Sequence, residues 1–394
     1  MAGRSDAGRP GRLRILHVSE VHWGGVVTLL DHFVAEQIRA GHEVAVLAPS
    51  GMRSFPGVDQ RTWRIDRRRP WSVATGLLDL RRAVKEFRPD VVHLHSFVAG
   101  LIGRLPFHSA LVAGVDSTTG VVYQPHAWSF DLFTRRRVGD VVRRWEAWAA
   151  AHGTDLLVAN CEDEIAEGRS IGIRIPGRAL GVAVDVDRFR PVDPAEREAY
   201  RAQLGIDAKR VLLCLGRLVR QKGQDLLLPA WERARPADTA LVLLGPGDTA
   251  PLEELAPTQW GETVLAMGEQ DDVRPWLWAC DALVLPSRYE TVALVVAEAM
   301  SCGRPVVATA VNGARETILD GPLPPAGAVV ELSDLDGLIE QAVRRLDDTE
   351  LWSAEAAAGR QRSEAMFRPA LVADRLEAAY RDAIGLRQRE RTGS

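Results

Sequence analysis

Apolar residues in this chain come in short blocks separated by longer amphipathic stretches, and the two alternate from near the start almost to the end. The first block is residues 12–18 (RLRILHV). A periodic stretch at 26–39 follows, and Gly41 stands where a helix closes with a left-handed residue. Then come the strand pattern 43–48 (EVAVLA), a helical pattern at 74–87, and the strand pattern 90–96 (DVVHLHS). The rhythm continues with 121–126 (VVYQPH), a helical pattern over 131–151, and 155–160 (DLLVAN). Residues 181–191 (GVAVDVDRFRP) read as a connector. The alternation then restarts with 211–216 (VLLCLG), 240–245 (ALVLLG), 263–268 (TVLAMG), 282–286 (ALVLP) and 305–309 (PVVAT). Strands alternating with helices indicate parallel doubly wound sheets. The pattern predicts two α/β domains in succession, then two helical stretches over about 350–385 and a polar end, GLRQRERTGS, expected to be disordered.

The densest candidate chemistry lies between Pro286 and Thr309. Glu290 and Glu298 are eight residues apart across the small apolar segment TVALVVA. If helix begins just after Glu290, eight residues carry the chain about 80° past two full turns. One carboxylate then stands at the helix mouth and the other on its flank. Upstream, Gly216-Arg217-Leu218 and Gln221-Lys222-Gly223 follow a strand and open a helix. Arginine offers phosphate a planar fork and lysine a compact charge. A helix N-terminus adds about half a positive unit.

These segments resemble the donor-sugar half of the retaining GT-B glycosyltransferases of family 4. Pro286, Ser287, Glu290, Leu294, Glu298, Ala299, Met300, Gly303, Pro305, Val306, Val307 and Ala308 match that family's wording. So do Gly216, Arg217, Leu218, Lys222, Gly223, Asp225 and Leu227. Where the family has Gly, Phe and Gly, this chain has Thr291, Val292 and Ala293.

The resemblance implies a GT-B fold, two Rossmann-like doubly wound domains facing an interdomain cleft. Residues 1–185 would form the acceptor-side domain and 186–370 the nucleotide-sugar domain. Residues 371–394 would be a final helix crossing back to the first domain, plus a tail. It implies retaining, metal-independent transfer of a hexose from a nucleoside diphosphate, taken here as UDP, to a hydroxyl of a saccharide, lipid-linked or secondary-metabolite acceptor, as in polysaccharide biosynthesis. Arg217 and Lys222 would hold the diphosphate, with the backbone amides of Ala293, Leu294 and Val295. Glu298 would accept hydrogen bonds from ribose hydroxyls and Glu290 would orient the transferred sugar. His126 would contact the sugar near the reacting centre, and the loop Trp23-Gly24-Gly25 would lie between acceptor and phosphate. No cofactor and no metal ion are expected. The expected partners are the nucleotide sugar and its acceptor, not nucleic acid.

Other classes remain in view. A phosphorylase or nucleotide-sugar hydrolase would use the same pocket. An NAD-linked oxidoreductase would want G-x-G-x-x-G after the first strand, and none is there. A carbohydrate-binding protein without catalysis would not need Arg217, Lys222, Glu290 and Glu298 together. His93 and His95 alternate on one strand face, a spacing that also suits a metal pair. No third ligand stands near them in sequence, so they read as strand-end or core residues.

Composition changes this picture little. With 394 residues, 46% hydrophobic and 26% charged, the chain suits two soluble domains. It has no apolar run of the ~18–20 residues that span a bilayer, and its polar start lacks a secretory core, so a cytoplasmic protein is expected. Four scattered cysteines with no C-x-x-C read as buried free thiols. Lysine occurs only three times beside 46 arginines, which singles out Lys222. The net charge of −4 divides into +4 over residues 1–185 and −8 beyond. The basic clusters Arg67-Arg68-Arg69, Arg135-Arg136-Arg137 and Arg143-Arg144 could give weak peripheral contact with an anionic membrane, or simply form solvated helix faces.

Overall fold

The computed structural model describes residues 11–66, 69, 71–104, 118–132 and 136–392. The chain divides into two compact units. One is Met1–Leu180 together with Pro369–Ser394, and the other is Gly181–Arg368.

In the first unit, strands β1 (Arg14–Ser19), β2 (Glu43–Ala48), β3 (Asp59–Thr62), β4 (Val91–His95), β5 (Gly120–Gln124), β6 (Leu156–Ala159) and β7 (Gly177–Ala179) form one sheet. Its order is β3-β2-β1-β4-β5-β6-β7, and every pairing is parallel. The strand order reverses between β1 and β4. That switch point opens a crevice at the carboxyl ends of the two strands, where ligands of open α/β sheets bind. Helix Gly25–Arg39 buries Val27, Leu30, Val34 and Gln37 along one side, an i, i+3/i+4 stripe with a polar residue at its end.

In the second unit, β8 (Arg210–Leu215), β9 (Thr239–Leu244), β10 (Val264–Ala266), β11 (Ala282–Leu285), β12 (Val306–Thr309) and β13 (Gly327–Val330) form a parallel sheet of order β10-β9-β8-β11-β12-β13. Its switch point lies between β8 and β11. Leu213, Val242, Leu283 and Val306 pack one core and Leu212, Leu241, Val284 and Val307 another, so the four central strands are buried on both faces.

The two doubly wound sheets follow the apolar pattern of the sequence, with three additions and two corrections. The pattern missed β3, β7 and β13, all of them sheet edges. β3 reads DQRT and β7 reads GRA; an edge strand needs no continuous apolar run. Residues 181–191 are not a bare connector: Val182, Ala183, Val184 and Val186 are buried, and the Val184 amide donates to the Phe367 carbonyl at 2.8 Å. The polar end is helical, since the last helix runs Pro369–Thr392. Val372, Leu376, Ala379, Tyr380 and Ala383 give that helix a buried stripe, which holds it in register despite its charged far end.

All four cysteines are buried free thiols, and burial pushes Cys214 and Cys280 up to about 12. Among the described residues, no helix is long and apolar enough to cross a membrane. Of the basic clusters, Arg67, Arg68 and Arg135 lie outside the described residues. Arg69 pairs with Asp66, and Arg143 with Asp140.

Candidate functional site

The second unit's switch point is a stitched pair of loops. Leaving β8, the chain passes Gly216 and Arg217, makes a short 3-10 turn at Arg220–Lys222, and enters helix Gln224–Ala234. Gly223 sits at the join with φ 71°, and a Cβ there would lie 1.9 Å from the Pro286 carbonyl oxygen. Only glycine lets the two loops approach this closely. The Arg288 amide donates to the Gln221 carbonyl (2.8 Å), and Gln221 Nε2 donates to the Tyr289 carbonyl (3.1 Å). Arg288 grips Asp225 with both arms of its guanidinium at 2.6 and 2.9 Å.

This stitching brings two predicted site residues, Lys222 and Glu290, into one cluster with Ser287. Lys222 Nζ lies 2.7 Å from Glu290 Oε1, and Ser287 Oγ donates to the same oxygen at 2.9 Å. Both members of the ion pair are largely buried, with 16% and 9% of their side chains exposed. The Arg217 side chain is exposed on the same loop and reaches Gln221 at 3.5 Å. A paired cation and carboxylate beside a further guanidinium can accept an anion with hydroxyl groups attached.

The helix after this loop begins at Leu294, not just after Glu290. Glu290 to Ala293 are non-helical, so the angular relation drawn across eight helical residues does not hold. Ala293 is the N-cap residue and no side chain caps the helix. Its first amides, those of Leu294 and Val295 among them, therefore take no capping bond from a side chain. Glu298 is half-buried in the second turn and takes no part in the Lys222–Glu290–Ser287 cluster. Burial raises its carboxyl to about 7.

In the first unit, Gly24 (φ 80°) precedes the first turn of helix Gly25–Arg39, which has no side-chain cap. A Cβ on Gly24 would meet nothing within 4 Å. His126 lies just beyond β5 with φ 54°, and Ala127 follows at φ 96°. Two successive non-glycine residues in this region are strained, and surrounding contacts must hold them. Glu164 supplies one such contact, accepting from the Ala127 amide and the Asn160 amide, both at 2.8 Å. Burial raises the Glu164 carboxyl to about 7 against the opposing pull of those two amides.

The other contact is to the His126 ring. His95 Nδ1 is 2.9 Å from His126 Nε2, His95 Nε2 is 2.9 Å from His17 Nδ1, and His17 Nε2 is 2.9 Å from Gln37 Oε1. Beside this chain, His93 Nδ1 is 2.8 Å from the Tyr380 hydroxyl, to which Gln37 Nε2 donates at 3.4 Å. His17, His93 and His95 are fully buried. Burial drives His17 down to about 4 and His126 to about 3. Burial and then the neighbouring imidazoles hold His93 and His95 well below the usual range.

His93 and His95 are thus core residues at a strand end, as their spacing suggests, but the third histidine absent from their sequence neighbourhood comes from β1. His17 is the register partner of His93. The three rings offer nitrogens within 4.8 Å of one another, a set that could hold a cation. In this arrangement the ring nitrogens of His17 and His95 are occupied by hydrogen bonds along the chain, which a metal ion would have to break. His17, Gln37, Glu164 and Tyr380 escaped the sequence reading. Gln37 alone carried a signal, as a polar residue on the apolar stripe of its helix.

Residues 23–188 match the family described as Glycosyltransferase Family 4, and residues 209–348 match Glycosyl transferases group 1. A GDP-mannose-dependent monoacylated alpha-(1-6)-phosphatidylinositol monomannoside mannosyltransferase of Corynebacterium glutamicum is 36% identical over 210 residues, 50% of this chain and 54% of the relative. The chain thus spans about half the length of that relative. A D-inositol 3-phosphate glycosyltransferase of Catenulispora acidiphila is 33% identical over 313 residues, 75% of this chain and 72% of the relative. Among solved structures, Anabaena HepE in complex with UDP-glucose shares the fold with a TM-score of 0.75 at 19% identity, over 92% of this chain and 98% of that one.

Proposed function

Because the chain belongs to the family 4, group 1 glycosyltransferases, we propose that it transfers a hexose from a nucleoside diphosphate sugar to a hydroxyl of a saccharide or lipid-linked acceptor, with retention of configuration. The observation that carries this reading is the Lys222–Glu290–Ser287 cluster at the β8/β11 switch point, with Arg217 on the same loop and an uncapped helix start following it.

In this reading Arg217, Lys222 and the amides of Ala293, Leu294 and Val295 neutralise the diphosphate as it departs. Each charge-assisted bond contributes roughly 1.5–3 kcal/mol. The charge that builds on the leaving group is met by protein cations, so the reading calls on no metal ion. Glu290 exchanges part of its bond to Lys222 for hydroxyls of the transferred sugar. Glu298 takes the ribose hydroxyls as a carboxylate. Gly24, Gly25 and His126 are read as the substrate-contacting residues of the first unit. The acceptor oxygen attacks on the face from which the nucleotide leaves. The C–O bond to phosphate breaks as the new C–O bond forms, and a phosphate oxygen takes the acceptor proton.

UDP-glucose in HepE supports a uridine donor. The GDP-mannose dependence in the name of the mannosyltransferase relative favours a guanosine donor as a second reading. Binding separates them. A ligand at a hundred times its Kd stabilises the native state by about 2.7 kcal/mol, and the donor's nucleotide should raise Tm where the others do not. The intact sugar nucleotide adds a pH test, because its phosphates are ionised throughout the range. With Glu298 at about 7, its carboxyl is protonated below that pH and a double acceptor above it. Donor affinity should therefore rise as pH goes from 6 to 8 and become flat in Glu298→Gln. Failure of UDP-, GDP- and ADP-linked hexoses alike to bind would overturn the assignment. Inverted configuration in the product would overturn the mechanism alone.

A further inference from the structure

The histidine chain in the first unit has a direction, and that direction decides what His126 can do. A row of neutral imidazoles can be hydrogen-bonded in two senses. In one, every ring carries its proton on Nε2 and the last ring ends on a bare Nδ1. In the other, every ring carries it on Nδ1 and the last ring ends on an N–H.

The neighbouring side chains choose between them. Gln124 Nε2 donates to Asn160 Oδ1 at 2.8 Å, which leaves Gln124 with its carbonyl oxygen to offer. His93 Nε2 and Gln124 Oε1 are both buried with no hydrogen-bond partner. The direction is set at Gln37, whose amide nitrogen faces the Tyr380 hydroxyl and whose amide oxygen faces His17 Nε2. With its oxygen accepting from Gln37, the Tyr380 hydroxyl donates its proton to His93 Nδ1 at 2.8 Å. On its other side, Gln37 Oε1 accepts from His17 Nε2 at 2.9 Å. His17 therefore donates from Nε2 and accepts at Nδ1 from His95 Nε2–H. His95 in turn accepts at Nδ1 from His126 Nε2–H.

We propose that His95, held through His17 by Gln37, is a positioning residue that fixes His126 as its Nε2–H tautomer and presents the bare Nδ1 as an acceptor for a substrate hydroxyl. The inference rests on the reading of His126 as a substrate-facing residue. The backbone agrees with it: His126 and Ala127 hold strained φ values of 54° and 96°, and Glu164 pins the Ala127 amide from one side while His95 holds the ring from the other. Strain kept in place by two independent contacts is how a side chain is pre-set for a ligand.

The test is nitrogen NMR of the full chain with 15N-labelled histidine, ligand-free, with His126 assigned by His126→Gln. The expected spectrum shows one His126 tautomer, protonated at Nε2. Asparagine places a carbonyl oxygen near the position of Nδ1, so His95→Asn should keep that tautomer and most of the turnover. His95→Phe fills the same space without an acceptor and should give mixed tautomers with a tenfold to hundredfold lower kcat, roughly the effect of removing an outer partner from a working imidazole. A His126 protonated at Nδ1 in the wild type would overturn the proposal. So would an unchanged tautomer in His95→Phe, or equal loss of turnover in the Asn and Phe variants. Should His95→Phe not fold, Gln37→Met interrupts the same chain at its far end with the same expected mixing. Because the spectrum needs no donor or acceptor, it stands or falls separately from the glycosyl-transfer reading, which His126→Ala tests by turnover.

Discussion

The two units place their chemistry at the same topological position and handle charge in opposite ways. At the β8/β11 switch point the groups are ionic: Lys222 against Glu290, largely but not fully buried, with Arg217 exposed on the same loop. At the β1/β4 switch point they are imidazoles, fully buried in the case of His17, His93 and His95, and burial holds them neutral. The first arrangement suits a ligand that brings its own charge, because the ion pair keeps each partner satisfied until the ligand replaces one of them. The second suits a ligand that is read by hydrogen-bond direction, because a neutral imidazole is a donor on one edge and an acceptor on the other.

The largest expected effect falls on the ionic side. Lys222→Ala removes the one compact cation of the cluster and leaves Glu290 with Ser287 as its partner. By comparison with the loss of a single pre-set charge-stabilising donor, kcat should drop about 10²–10³-fold. Tm should change by only a few degrees, since the pair is not fully enclosed. Steady-state kinetics beside a thermal melt distinguishes the two. Near-normal turnover with a competent donor would mean that the cluster is structural and that the contrast between the units has been misread.

The buried side should reveal itself through acid. His17 titrates at about 4 in the folded chain and near 6.5 when unfolded. The unfolded state therefore binds more protons between those values, and stability rises with pH across that window. The contribution is whole above pH 6.5 and is lost as pH falls toward 4, about 3 kcal/mol in all for this one group. His126, at about 3, acts in the same sense, and so do His93 and His95, which burial and the neighbouring imidazoles hold well below the usual range, so that the histidines together outweigh the opposing carboxyls. Glu164 and Glu298, both raised to about 7, act in the opposite sense, binding protons more tightly when folded. Denaturant melts from pH 7 to 4 should show loss of stability in the wild type and a shallower loss in His17→Gln. Hydrogen exchange should place the acid-labile amides in the first unit. An unchanged slope in the variant would remove the imidazole network from the account.

How much of this was legible follows from the same contrast. The ionic cluster was readable because its parts lie in two contiguous stretches, residues 216–225 and 286–300, each attached to a strand end. What the sequence did not show was that Asp225 serves as the tether for Arg288, or that three residues separate Glu290 from its helix. The imidazole network was not readable, because it depends on register. His17 and His93 are neighbours only because β1 pairs with β4 across a reversal of strand order. Tyr380 reaches them from the far end of the chain. Edge strands β3 and β7 escaped for a related reason: partnered on one side only, they need no unbroken apolar run.

The smallest expected effect concerns a stretch where the chain departs from the family's wording, Thr291-Val292-Ala293. Ala293 caps the helix with φ −71° and ψ 117°, values any residue adopts. Glycine is therefore not required by the backbone at this position, and alanine stiffens the loop that carries Glu290 into the helix. Ala293→Gly should lower stability by about 0.4–1 kcal/mol, mainly by loosening the unfolded chain's competitor state. It should leave kcat within a few-fold of wild type, because the amide that faces the proposed phosphate remains. The buried Ala293 methyl packs in the same core as Val296 and Leu294, so the variant trades packing for freedom without touching charge. A measured loss of donor affinity beyond tenfold would show that the methyl group itself shapes the sugar pocket. Selectivity in the ionic unit would then depend on packing as well as on charge.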